Sequence, residues 1–312
     1  MFKQSVRGVT HVWEDLTSFD FNWIVPYKTV ASLKVLRNPS AWVMLLFGFA
    51  PLAFNGFVTS VDQVRAFLVC YAALAWAGYF YVFVAKRATS VWLGLASAAF
   101  TLAIGVRLDL LLKQAVLLVF YGWAAQPSGL TRLLGNIVVG LNEEFWKALP
   151  LLLLAFVLGR IKKPVDGIFC GALSGLSFAA FEGYRYITRV PDSEAAMQIL
   201  LRCTSLPFLH AVWTGIGGYF IALATISRRR TALCLLGIAL AATVHGCYDA
   251  ASHALQAVVA ALIYLLFISY IERSRQMVQE LEEVEAAQRV RNVASDEPPR
   301  HAIEAGAEEI KK

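Results

Sequence analysis

Glu143, Glu144, Glu182, His210, His245 and Asp249 fall inside or at the edge of long apolar runs, where a membrane-type sequence ought to exclude them. One charged side chain at the centre of a spanning helix costs about 2.5–3.5 kcal/mol on insertion scales, so a group of them needs a pairing partner or a function. The first set is Asn142-Glu143-Glu144-Phe145-Trp146-Lys147, placed at the head of the apolar run ALPLLLLAFVLG. Glu143 precedes Lys147 by four residues and Glu144 by three, so both share a helix face with it. One carboxylate can pair with the ammonium while the other activates water. The plainer alternative is an interfacial salt bridge that caps the helix. Pro150 has no N–H for the carbonyl of Trp146 and should loosen the turn beside these acids.

The second set is Phe178-Ala-Ala-Phe181-Glu182-Gly183-Tyr184-Arg185-Tyr186, where Glu182 ends an apolar run that begins near Gly167. Its plain reading is a surface pair with Arg185, three residues on. Upstream, Gly171 and Gly175 have the G-x-x-x-G spacing, and Ser174 and Ser177 add small side chains that let another helix approach closely. The third set is His210 in LPFLHAVWTGIGGYFIALATI, where Thr214 and Gly218 keep its face small and Pro207 suits a first turn. By itself it reads as a hydrogen-bonded packing residue. In the fourth, His245 and Asp249 stand four apart near the end of a run. They can bind one metal, or the carboxylate can orient the imidazole toward a substrate carbonyl, or they can simply bond to each other.

Gathered inside one bundle, these residues could hold a water, activate it with a glutamate and stabilise a tetrahedral oxyanion, which is the chemistry of peptide hydrolysis.

The elements that must position them are membrane helices. Of the residues, 58% are hydrophobic and only 16% charged. Apolar segments about a bilayer long lie at 41–59, 66–85, 90–106, 108–124, 143–159, 165–187, 206–226, 231–251 and 254–271. Basic links at Lys86/Arg87, Arg160/Lys162/Lys163, Arg228/Arg229/Arg230 and Arg273/Arg275 mark one side as cytoplasmic. With the basic N-terminus on that side the crossings must be even in number. Nine segments are one too many, and Arg107, Asp109 and Lys113 make 88–124 the stretch with a kinked or partly embedded helix. The expectation is an all-α, polytopic transmembrane bundle of about eight spanning helices, with both termini cytosolic.

By the same reading, 1–40 is a cytosolic N-terminal segment, 41–271 the transmembrane bundle, and 272–312 a cytosolic helix followed by a disordered tail from about Asp296. Met277, Leu281 and Val284 give that helix a weak apolar stripe. The first 38 residues have no apolar core with a small-residue cleavage site, so the first span serves as the anchor. The net charge of +6 comes from basic residues at helix ends, which suits lipid headgroups and argues against nucleic acid. The cysteines at 70, 170, 203, 234 and 247 have no metal-type spacing and read as buried thiols.

In order and spacing, the motifs resemble the PrsW family of intramembrane proteases, related to the CAAX prenyl endopeptidases. The match spans about residues 90–251. It rests on E-E-x-x-K at Glu143, Glu144 and Lys147, F-x-x-x-E at Phe178 and Glu182, an isolated His210, and H-x-x-x-D at His245 and Asp249. The resemblance implies that Glu143 activates the water, that Glu144 and Lys147 support it, and that His245 and Asp249 bind the oxyanion or a metal. The prenyl endopeptidases differ at two of these positions, carrying histidine where Glu182 stands and arginine where Lys147 stands. A glutamate mechanism and a Zn²⁺ site at Glu143, His210 and His245 both remain open, since no H-E-x-x-H helix is present. The implied substrate is another membrane protein, such as a single-span anti-sigma factor, in a bacterial cytoplasmic membrane. Two other classes compete. One is a proton-coupled transporter, against which the lack of a repeated half counts; the other is a non-catalytic membrane adaptor of the same fold.

Overall fold

The computed structural model describes residues 62–85, 88–121, 129–189, 201–226 and 230–296, with isolated positions between 37 and 46. All but three residues of the expected span at 41–59, and the tail past 296, lie outside the described residues. Within them the chain is all helix: α1 (Asp62–Phe80), α2 (Val91–Phe100), α3 (Val106–Tyr121), α4 (Gly129–Leu152), α5 (Pro164–Ile187), α6 (Leu206–Ile226), α7 (Arg230–Ala250) and α8 (His253–Asp296). Four wide π turns extend or join them, at Tyr81–Ala85, Thr101–Gly105, Leu153–Val157 and Leu201–Ser205.

Six of the resulting helices are long and apolar enough to cross a membrane. A seventh, α4 with its π turn, has the length but carries Glu143, Glu144 and Lys147 in its middle. The chain is therefore a multi-pass integral membrane protein built as a helical bundle. Large apolar side chains such as Trp92, Leu111, Leu235 and Leu262 are exposed on it, and lipid tails would cover them. Packing divides the chain at Ser274: the bundle belongs to Met1–Ser274, and Arg275–Lys312 is a unit of its own, helical through Asp296.

The segments at 90–106 and 108–124 are one run of helix, α2 and α3 joined through the π turn Thr101–Gly105, and they supply one candidate span, Val91–Ala115, in line with the single crossing expected of 88–124. One expectation needs correcting. The acid pair is not at a helix head, because α4 begins at Gly129. The stretch GLTRLLGNIVVGLN that precedes Glu143 is too weakly apolar to look like part of a span, yet it is helical. Pro150 sits inside α4 without ending it; the helix runs on to Leu152 and then widens into the π turn at Leu153–Val157. Gly105 packs against the carbonyl of Trp146, the one Pro150 cannot serve, and an added Cβ there would sit 3.2 Å from its oxygen.

The core is the α5–α6 pair, the most deeply buried of the spans. Gly167, Gly171 and Gly175 of α5 lie against the backbone carbonyls of Gly218, Thr214 and His210 of α6. The four-residue spacing on both helices is a small-residue seam running the length of the contact. A Cβ at any of these glycines would run into a carbonyl oxygen. Gly175→Ala is accordingly expected to lower stability by about 1–3 kcal/mol, as overpacking does, in thermal unfolding of the detergent-solubilised chain.

A second close approach joins α4 to α7. Gly140 faces the carbonyl of Ala242, and Gly246 faces the backbone of Asn136 and Ile137. Gly246 adjoins His245, so this contact brings that histidine to the acids of α4.

Candidate active site

One glycine seam packs α4 on α7 and the other holds α6 on α5, and α4 turns its polar face toward both α6 and α7. Glu143, Glu144, Lys147, His210 and His245 are all buried, each at 3% relative exposure or less. The ammonium of Lys147 is their centre. It donates to Glu144 Oε1 at 2.8 Å, to Glu143 Oε2 at 3.2 Å and to His210 Nδ1 at 2.8 Å, which uses all its N–H groups. Phe178 covers it, with the ring centroid 4.2 Å from Nζ.

The hydrogen bonds fix both imidazole tautomers. An ammonium only donates, so His210 Nδ1 accepts and the proton sits on Nε2, which faces Glu182 Oε2 at 3.2 Å. At His245 the order is reversed. Nδ1 lies 3.1 Å from Glu144 Oε1 and donates to it, so Nε2 is the acceptor of the neutral ring and a second donor when the ring is protonated. That nitrogen is 3.5 Å from Asp249 Oδ2 and 3.8 Å from Glu143 Oε2. Trp213 stacks on the His245 ring at 4.1 Å between centroids and holds its plane.

The two glutamates differ. Glu144 accepts from Lys147 and His245 on Oε1 and from Thr214 on Oε2 at 2.8 Å, so donors on three other residues hold it. Among the described residues Glu143 accepts only from cations, Lys113 on Oε1 at 2.6 Å and Lys147 on Oε2. It therefore keeps more acceptor capacity for a water. Two carboxylates facing two ammonium groups leave the cluster neutral, which is how an apolar bundle can contain it.

Glu182 does not pair with Arg185. It bonds Arg202 at 3.1 Å and His210, because its side chain turns toward α6 while Arg185 turns to the Phe181 ring. Asp249 is at the edge of the site, with its side chain 39% exposed. Several residues at the site were not assigned to it from the sequence. Asp109 and Lys113 of α3 read only as interruptions of an apolar run, yet Lys113 binds Glu143, and Asp109 accepts from Asn142 at 2.6 Å. Their four-residue spacing was the available signal. Arg202 and Trp213 gave none. Support comes from hydroxyls: Ser174 donates to the carbonyl of Lys147 at 2.7 Å and lies 2.7 Å from Thr101 in the π turn that precedes α3.

Donor atoms of Glu143, His210 and His245 lie within 4.8 Å of one another. A carboxylate and two imidazoles are the donor set of many catalytic zinc sites, so these residues fit a divalent metal in kind. Both ring nitrogens of His210 are already engaged, by Lys147 and Glu182, so a metal taken there would displace one of them. Beside the cluster lies a cavity of about 550 Å³ between α3 and the end of α5, with Lys113 and Glu182 in its wall. It lies toward the end of the bundle where α5 and α7 finish and α6 begins.

No solved structure matches the chain. Among curated proteins it is similar to the Protease PrsW of Shouchella clausii (strain KSM-K16), 32% identical over 114 residues. Those residues make up 36% of this chain and 51% of that protein, so the chain spans about half the length of the relative it matches. The family model described as PrsW family intramembrane metalloprotease matches residues 88–271. This stretch is more than half of the chain and contains α2 through the apolar part of α8 with every residue of the buried cluster, and the chain belongs to that family.

Proposed function

We propose that this chain is an intramembrane endopeptidase that hydrolyses a peptide bond of another membrane protein. The observation that carries the reading is the convergence of Glu143, Glu144, Lys147, His210 and His245, from three helices, through contacts of 2.8–3.8 Å in the interior of an apolar bundle.

Glu143 is the group that takes a proton from water. Lys113 and Lys147 hold its two oxygens in place, and the water oxygen attacks the substrate carbonyl carbon. The carbon–nitrogen bond then breaks, and Glu143 returns the proton to the leaving amine. His245, oriented by Glu144 and stacked on Trp213, presents Nε2 beside Glu143 and Asp249. Carrying a proton, that nitrogen faces the developing oxyanion. Glu182 holds His210, and His210 in turn holds Lys147. Asp249 supports His245 from the edge of the site.

The proximity of Glu143, His210 and His245 favours a second form of the same reaction. In it these three residues would hold a divalent cation such as Zn²⁺, which would supply a Lewis acid and a more acidic bound water.

The basic links support a cytosolic Lys162/Lys163 end of α5, which would put the site toward the other face of the membrane. With the 41–59 segment counted, eight crossings would leave both termini cytosolic, in a bacterial cytoplasmic membrane. The substrate would then be a single-span regulator, such as an anti-sigma factor, cut near its outer boundary.

The test is cleavage of a single-span reporter by the purified full chain in liposomes. Cleavage at one site within or beside the reporter's span is the expected result. Intact reporter together with substrate flux across the liposome membrane would replace the reading with a transporter. Exhaustive chelation separates the two forms: activity that survives it belongs to the glutamate alone, and activity lost to chelation and restored by Zn²⁺ belongs to the metal.

A further inference from the structure

The cavity beside the cluster is charged in a way the reaction does not use. Of its acidic wall residues, Asp109 accepts from Asn142, and Glu182 is bonded to Arg202 and His210. Its Lys113 is bonded to Glu143. Two cations in the wall, Arg185 and Arg189, have no carboxylate partner among the described residues. Arg185 has only the ring of Phe181, 5.9 Å away, and Arg189 is exposed just past the end of α5. Two guanidinium groups in one cavity wall, with no carboxylate partner among the described residues, suit an acceptor that carries negative charge.

We infer that this cavity is a substrate subsite that selects an acidic residue, Asp or Glu, where the substrate's spanning segment leaves the bilayer, a few residues outward of the scissile bond. The inference rests on the protease reading and names its substrate class. The order of the walls sets the order along the substrate. Phe178, Phe181, Val106 and Leu110 make the cavity apolar beside the cluster, and Arg185 and Arg189 lie at the end of α5. An apolar residue fits the inner part, where Asp109 and Glu182 would repel a second acid. A peptide is favoured over a lipid headgroup because Lys113 and Glu182 line the same space and touch Glu143 and His210 directly. A volume of about 550 Å³ also exceeds what a single headgroup phosphate requires.

The experiment uses the full chain in phosphatidylcholine nanodiscs and three single-span reporters that differ only in an Asp, Asn or Lys at the outer boundary. Fluorescence anisotropy reads binding to the Glu143→Gln chain, so the result does not depend on hydrolysis, and cleavage is read with the parent chain. The expected preference for Asp over Asn is about tenfold or more in affinity and in kcat/KM, carried by KM. It should vanish in Arg185→Ala/Arg189→Ala and turn toward the Lys reporter in Arg185→Glu/Arg189→Glu. Equal binding of the three reporters overturns the inference, and the protease reading survives if all three are cut. Selective binding without cleavage upholds the subsite and removes the protease reading. If reporter charge has no effect but phosphatidylglycerol binds and is released by Arg185→Glu/Arg189→Glu, the cavity is a lipid site and the inference fails.

Discussion

Replacing Glu143 by glutamine is expected to lower turnover of a membrane reporter by about 10²–10⁴-fold, the range general-base catalysis supplies, with little change in KM. Glutamine keeps the shape of the side chain, and its carbonyl can still accept from Lys113 or Lys147. What it loses is the capacity to take a proton from water and return it to the amine. Some stability goes with it, because removing one carboxylate leaves the buried cluster with an unmatched positive charge. Near-parental helix content and a single size-exclusion peak would show that the fold survives. Glu144→Gln is the informative comparison. Glu144 is held by Lys147, His245 and Thr214 and orients His245, so its loss should misplace a ring and cost less, about 10–100-fold. A Glu143→Gln chain with more than a tenth of parental turnover would remove Glu143 as the base. A larger effect at Glu144 would exchange the two roles.

Part of this arrangement was legible because its signals are local. Paired acids four and three residues before a lysine, and a histidine four before an aspartate, place functional groups on one helix face wherever that helix goes. Glycines at a spacing of four announce a close helix partner, and α6 answers with His210, Thr214 and Gly218 at the same spacing. The partners across helices were not legible. Glu182 has Arg185 one turn away in sequence, yet bonds Arg202 and His210, because rotation of α5 about the glycine seam decides which residues it faces. Lys113 interrupts an apolar run, which marks it as unusual but does not say that α3 turns it toward Glu143. That 88–124 supplies one span was legible in Arg107, Asp109 and Lys113, whereas the π turn at Thr101–Gly105 that joins its two halves has no composition of its own.

The neutrality of the cluster has a direct consequence for Lys147. Lys147→Met keeps the length and apolar stem of the side chain but removes the cation that Glu143, Glu144 and His210 share. Breaking a buried ion pair from one side costs about 3–5 kcal/mol, because the remaining charges stay buried without compensation. Here two carboxylates would face each other with Lys113 as their nearest remaining cation, and Lys113 reaches only Glu143. The expected result is a loss of that size in equilibrium unfolding of the chain in mixed micelles, together with loss of cleavage. Lys147→Arg should recover only part of it. The planar guanidinium cannot direct donors to three partners set around a tetrahedral ammonium, and Phe178 closes the remaining side. The decisive comparison is Lys147→Met combined with Glu144→Gln, which removes one opposing charge along with the cation. If compensation holds the cluster together, the double variant should be more stable than Lys147→Met alone. If Lys147→Met unfolds within about 1 kcal/mol of the parent, the ammonium is a tenant of the site and not its keystone, since surface-type pairs are worth no more than that.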